Sequence, residues 1–300
     1  MVRRVLLGLA LALATVPAPA QVQGHYVNGL EGLKAATLPP PGMYYRLYNA
    51  FYTAKTLKDG AGNALPVGFD VTVWAAAHRF IYISPLKFLG ADYGCDIIIP
   101  TINTNLTVAA AGVNNTRFGL GDIWIEPLLL SWHGKRYDAA VGLGMYLPTG
   151  DYSVARPASP GKNMFTFMST FGGTAYLDPE KSWHLSVLGR YEVHTANTKT
   201  HVTPGNDFHF EWGLGKTYPE AGVVFEPGLT GSCQWQVTDD SGTGVTWNRK
   251  THDQAYAIGP EFGVIFPKAP LLLNIRSQWE FATRDRSSGN ITNITLTKPF

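Results

Sequence analysis

His184 and Ser186 stand two residues apart, a spacing that sets a base and a hydroxyl on one face of a β-strand and could arm the serine against lipid esters. No third group is placed to orient the base, because Asp151, His201, Asp207, Asp239, Asp240 and His252 are scattered along the chain. A hydrolytic triad is therefore not expected, and the chain is read as a non-enzyme. A second set of residues suits binding better than bond-breaking. Arg46, Asp122, Glu126, Arg190, Glu192, His209, Glu211, Arg276, Glu280 and Arg284 carry both signs of charge and are interleaved with Tyr48 and Trp124. Guanidinium groups beside aromatic rings can hold a small aromatic acid, and the same charges can equally neutralise one another across a filled interior. The eight histidines fall in no compact ligand spacing, so no metal is expected. Phosphate-binding glycine loops are absent too, and no cofactor is expected.

Which of these residues meet depends on the elements that carry them. From Trp183 to His194 the odd positions include Trp183, Leu185, Val187 and Val193, while the even ones include His184, Ser186, Arg190, Glu192 and His194. Val223 to Thr238 and Leu271 to Arg284 repeat this alternation, which is the period of a strand with one apolar and one polar face. The runs exceed a dozen residues, whereas strands of soluble sandwiches average about 5 to 6. Such segments are expected near 42–53, 69–83, 88–109, 116–132, 137–149, 163–178, 183–197, 206–218, 221–238, 254–267, 271–285 and 290–300. Between them tight connectors at Ser84–Lys87, His133–Arg136, Pro179–Ser182, Pro219–Glu220 and Lys268–Pro270 alternate with mostly longer polar loops. Even strand number and short turns alternating with long loops predict an all-β, transmembrane antiparallel up-and-down β-barrel of about 12 strands. Parity then turns the charged set inward, into the lumen. Tyr82, Trp132, Trp183, Tyr218 and Phe266 fall near strand ends, where aromatic girdles meet lipid headgroups. Cys95 and Cys233 share the outward parity on well-separated strands, which predicts two free thiols.

The chain's beginning and composition agree with export. Residues 1–20 combine Arg3 and Arg4, an apolar run from Val5 to Val16 and the small-x-small site Ala18-Pro19-Ala20, the pattern of a secretory signal peptide. Gln21 rather than Cys follows, so a lipid anchor is not expected. Of 300 residues, 45% are hydrophobic and only 15% charged, and the net charge of +2 includes the two leader arginines. No basic field for nucleic acid remains. Past the leader no run reaches the roughly 18 apolar residues of a membrane helix. Residues 21–41 form an N-terminal periplasmic segment in which Val27, Leu30 and Leu33 could line a short amphipathic helix, started by Asn28 and stopped by Pro39-Pro40-Pro41. This piece either plugs the barrel formed by residues 42–300 or lies outside it.

Three stretches carry a resemblance in their order and spacing: Gly29-Leu30-Glu31-Gly32-Leu33-Lys34 with Leu38-Pro39-Pro40-Pro41-Gly42-Met43-Tyr44, Gly119-Leu120-Gly121-Asp122-Ile123, and Leu147-Pro148-Thr149-Gly150-Asp151-Tyr152. Across essentially the whole mature chain, the sequence resembles outer-membrane proteins named for the meta-cleavage pathway of phenol degradation. The chain's last residue, Phe300, likewise resembles the aromatic end of outer-membrane barrels, although Lys298 and Pro299 depart from that pattern. The resemblance implies a barrel in the bacterial outer membrane acting as a passive channel or transporter for small hydrophobic, chiefly aromatic, compounds. Its expected partners are those compounds, outer-membrane lipid and, during biogenesis, the barrel-assembly machinery. The competing readings are an outer-membrane lipid-modifying enzyme and a structural barrel whose loops bind a partner.

Overall fold

The computed structural model describes residues 24–300, so the expected leader lies outside the described residues. Fourteen strands are formed among the described residues. They are β1 (Gly42–Leu57), β2 (Phe69–Phe88), β3 (Ala91–Val108), β4 (Val113–Leu120), β5 (Ile123–His133), β6 (Tyr137–Leu147) and β7 (Thr166–Tyr176). The second half comprises β8 (Trp183–His194), β9 (Asp207–Lys216), β10 (Tyr218–Glu220), β11 (Val223–Gln236), β12 (Gln254–Phe266), β13 (Leu271–Arg284) and β14 (Ser287–Pro299). All pairings are antiparallel between neighbours, and β14 returns to β1 from Tyr44↔Pro299 to Leu57↔Ser287, closing the sheet. The Phe300 amide adds a last hydrogen bond to the Met43 carbonyl at 3.0 Å. Closure leaves no unpaired edge within lipid.

Two staves are interrupted. β9 and β10 pair β11 in one continuous register and part only at Thr217, whose amide turns to the Ser182 carbonyl. β4 and β5 both pair β3 but slip by one residue across Gly121 and Asp122, where the Asp122 carboxylate accepts the Gly150 and Lys162 amides from the following loop. Twelve staves therefore make the barrel.

Side-chain parity is the inverse of a water-soluble protein. On β8 the buried positions include His184, Ser186, Leu188, Arg190, Glu192 and His194, while Trp183, Leu185 and Val193 are exposed. The outer face collects Phe80, Phe118, Leu143, Phe167, Leu214, Phe262, Ile275 and Trp279 as exposed apolar side chains. Only hydrocarbon stabilises such a surface, so the barrel is a membrane span of the outer-membrane type. Phe171, Phe208, Trp235, Tyr256 and Phe281 follow one another around five strands, adjacent rings 5.6–6.4 Å apart, as an aromatic band toward the long-loop end. Tyr82, Trp183 and Tyr218 are exposed at the opposite, short-turn end. Cys95 on β3 and Cys233 on β11 are free thiols between inward-facing neighbours, hence on the outer surface.

Several boundaries differ from the sequence expectation. The Ser84–Lys87 turn is instead strand, because β2 runs on through a bulge to Phe88 and reverses at Leu89-Gly90. Pro219-Glu220 is likewise paired, and the chain reverses at Ala221-Gly222. Both reversals have positive φ at both central residues, 51° and 76° in the first and 50° and 84° in the second. This is the two-residue turn whose twist matches a hairpin, and only the second residue is glycine in each case. Ala282 also adopts a positive φ of 48°. The parity of β13 inverts beyond it, so Thr283 is buried and Arg284 is exposed rather than in the lumen.

The Asp178 turn before β8 yields a pH prediction. Its carboxylate accepts hydrogen bonds from the Ser182 hydroxyl at 2.6 Å, the Ser182 amide at 3.0 Å and the Trp183 amide at 2.6 Å. These bonds hold its pKa down, to about 2 from an ordinary 3.8. A carboxyl depressed by folding stabilises the turn above its unfolded pKa and loses that contribution as pH falls through the folded value. Hydrogen exchange at Ser182 and Trp183 is therefore expected to stay slow above pH 4 and to lose protection as pH approaches 2. In Asp178→Ala the same amides should exchange fast at every pH.

Candidate functional site in the barrel lumen

Residues 24–41 run inside the barrel. From the short-turn end, where Leu38 packs on Ile81, Ile83 and Leu129, the segment rises past Thr37 on Asp138, Lys34 on Glu226 and Glu31 at mid-lumen. It reaches Asp122 and Thr166 through His25, 2.9 and 2.6 Å away, near the long-loop end. The expected amphipathic helix from Asn28 does not form; this stretch is a succession of turns and bends, with positive φ at Gly29 and Lys34. The physical reason is that the wall takes the hydrogen bonds a helix would make internally. The Tyr26 amide donates to Glu192 at 3.0 Å, that of Gly29 to Glu211 at 2.7 Å and that of Leu33 to Glu261 at 3.0 Å. Arg276 donates to the Gly29 and Leu30 carbonyls at 2.9 and 2.5 Å.

Small residues make room for this fit. A Cβ at Gly32 would overlap the Glu261 carboxylate and the Arg276 guanidinium, so only glycine passes there. Gly213, Gly215 and Gly228 form a shelf on β9 and β11 that seats the Leu33 side chain.

Glu31 is the hub of the charge network. Its carboxylate lies 3.2 Å from Arg46, 3.1 Å from Arg79 and 4.0 Å from Arg190, and accepts the Tyr48 hydroxyl at 2.7 Å. Arg79 also donates to Asp96 and lies 3.5 Å from Glu126; the Trp124 indole donates to Asp96 at 3.1 Å. Arg190 pairs Glu211 at 2.9 Å and stacks over the Tyr26 ring at 4.1 Å. Arg46, Tyr48, Asp122, Trp124, Glu126, Arg190, Glu192, His209, Glu211 and Arg276 thus all point inward, with most of them bound up with the threaded segment. Glu280 lies apart from the hub, taking the Tyr52 hydroxyl at 2.7 Å. Sequence parity missed Arg79, Asp96 and Glu31. Arg79 is a lone charge in an apolar run on β2, and Glu31 lies outside any strand.

The segment takes up the polar wall from β7 to β13 and meets the opposite wall through Glu31, which holds Arg46, Tyr48 and Arg79. Around the segment, bounded on one side by β1–β3, lies a cavity of about 830 Å³. Val71, Val73, Ala75, Ala77, Ile98 and Ile102 form an uncharged strip of its wall, and it extends from Phe69 at the loop end to Pro270 and Pro299 at the turn end. Arg46, Arg79 and Glu280 also line it, and elsewhere around it so do Asp122, Glu126, Arg190, Glu226, Glu261 and Arg276.

His184 and Ser186 are not hydrogen-bonded to each other as a base and its nucleophile would be. Ser186 accepts from Thr174 at 3.0 Å and from the Ala36 amide at 3.3 Å, while neither ring nitrogen of buried His184 has a hydrogen-bond partner. One grouping that linear spacing does not reveal is made by strand pairing: Glu192 opposes Asp207 across β8 and β9, with His194 two residues on. Ligand atoms of these three buried residues lie within 4.8 Å of one another, although the spacing of histidines alone predicts no such cluster.

Known structures share the barrel. A crystal structure of an outer membrane channel from Pseudomonas putida F1 superposes with a TM-score of 0.75 at 13% identity, covering 88% of this chain and 97% of that one. The β domain of the Bordetella autotransporter BrkA gives 0.52 at 12% identity, covering 87% of this chain and 100% of that one. The transport unit of the autotransporter AIDA-I from Escherichia coli gives 0.51 at 11%, with 87% and 91% covered. A search of curated proteins returns no match. At these identities the likeness is one of fold. The sequence pattern of the family described as "Putative MetA-pathway of phenol degradation" matches residues 54–296, well over half of the chain, and the protein belongs to that family.

Proposed function

We propose that the protein is a passive outer-membrane channel for small hydrophobic, chiefly aromatic, molecules, with residues 24–41 as a plug seated on the polar wall. The observation that carries this reading is the uncharged strip of β2 and β3 facing the cavity. A solute without charge gains by leaving water for such a strip, and an ion does not. The threaded segment blocks the wider aqueous route while leaving the apolar one beside it. The family's tie to phenol degradation and the likeness to an outer membrane channel support the same assignment. Neither an energy-coupling motif nor an armed nucleophile among the described residues favours pumping or lipid hydrolysis. Arg46 and Arg79, which line the cavity, would orient a polar substituent on the ring.

The test is uptake of a radiolabelled monoaromatic hydrocarbon by cells whose own uptake barrels are deleted. The wild-type protein is expected to accelerate uptake, and Ala75→Trp, which fills the apolar strip, is expected to return it to the level of cells without the barrel. Uptake by Ala75→Trp equal to wild type would remove the apolar wall as the route.

A further inference from the structure

We propose that Glu192, His194 and Asp207 bind one divalent transition-metal cation of the zinc class, beneath the outer end of the threaded segment. The argument begins with where protons must sit. Asp122 accepts from His25 Nε2 at 2.9 Å, so in neutral His25 the Nδ1 is a bare acceptor for the Thr166 hydroxyl at 2.6 Å. Thr166 has spent its one proton and must accept from His194 Nδ1, 2.7 Å away. His194 Nε2 is then a lone pair aimed at the Asp207 carboxylate at 3.2 Å, one acceptor against another.

A second chain ends the same way. Gln234 donates its amide to Asp253 at 3.2 Å, so its oxygen accepts from Asn28 Nδ2 at 2.7 Å. The Asn28 oxygen accepts from His209 Nδ1 at 2.9 Å, leaving His209 Nε2 bare against Glu192 at 3.0 Å. Each pair of acceptors needs a bridging proton or a metal. Lys162 donates to the Gly24 carbonyl and brings one ammonium into the field of the same two carboxylates. One imidazole nitrogen and two carboxylates, with ligand atoms mutually within 4.8 Å and all three residues at least nine-tenths buried, are a donor set that suits zinc. Thr166 fixes the His194 tautomer, as outer-shell groups do around metal ligands, and one proton between His209 Nε2 and Glu192, 3.0 Å apart, lets His209 hold that ligand in the same way. A Cβ at Gly24 would overlap both carboxylates, so the segment's backbone is the lid of the site.

The experiment uses the refolded mature protein, stripped with chelator and titrated with Co²⁺. One equivalent per barrel is expected, with visible ligand-field absorption that Zn²⁺ abolishes. His194→Gln, folded by heat-modifiable migration, should lose the absorption, and Thr166→Val, which removes no ligand, should weaken binding roughly 10- to 100-fold. Folded wild-type protein that takes up no cobalt, or a Thr166→Val variant that binds as wild type, would overturn the site and leave protons as the bridges.

Discussion

Deleting residues 24–38 is expected to convert a barrel that passes almost no ionic current into one with a steady, resolvable conductance in planar bilayers. The segment fills the polar half of the lumen and closes Glu192, Glu211 and Glu261 against its own amides. Without it those carboxylates face water, and the lumen becomes an aqueous pore. The deletion should not unfold the barrel, since the ladder between β1 and β14 begins beyond the deleted residues. The exposed carboxylates should favour cations, a preference that weakens as salt screens them. Equal conductance from wild type and the deletion variant, both inserted and heat-modifiable, would mean that the segment does not govern the pore.

How much of this was legible in the sequence follows from the range of the interactions involved. Strand parity is local, so Arg190 and Glu192 could be turned inward from their own dozen neighbours, and the inverted polarity of β8 marked the membrane. Turn positions were misread where a Leu-Gly or Ala-Gly pair takes positive φ at a residue that gives no warning of it. The threaded segment was harder. Its partners come from the whole ring, between Arg46 and Asn293, so no periodicity within residues 24–41 encodes its path. Local propensity suggested a helix there, and tertiary hydrogen bonds displaced it. The Glu192, His194 and Asp207 cluster lies between these cases. The first two residues share a face by spacing, but Asp207 joins them only once the register of β9 is known.

Glu31→Leu carries the second large effect, because it separates the segment's docking from its presence. Arg79 keeps Asp96 and Glu126, and Arg190 keeps Glu211, when Glu31 is lost. Arg46 has no other carboxylate among its described contacts and retains only Tyr48 and Thr297. Removing one member of a buried pair costs about 3–5 kcal/mol, and the lower end applies because 22% of the Arg46 side chain stays exposed. About 3 kcal/mol corresponds to a shift of roughly a hundredfold toward the undocked segment. The measurement is the fraction of time single barrels spend in the conducting state, which should rise by that factor. Arg46→Met combined with Glu31→Leu replaces the charge pair by apolar side chains, a change that is often neutral or stabilising. The double variant should therefore close again. If it stays open, the cost resides in the lost hydrogen bond to Tyr48 and the contact to Arg79 rather than in an unpaired Arg46.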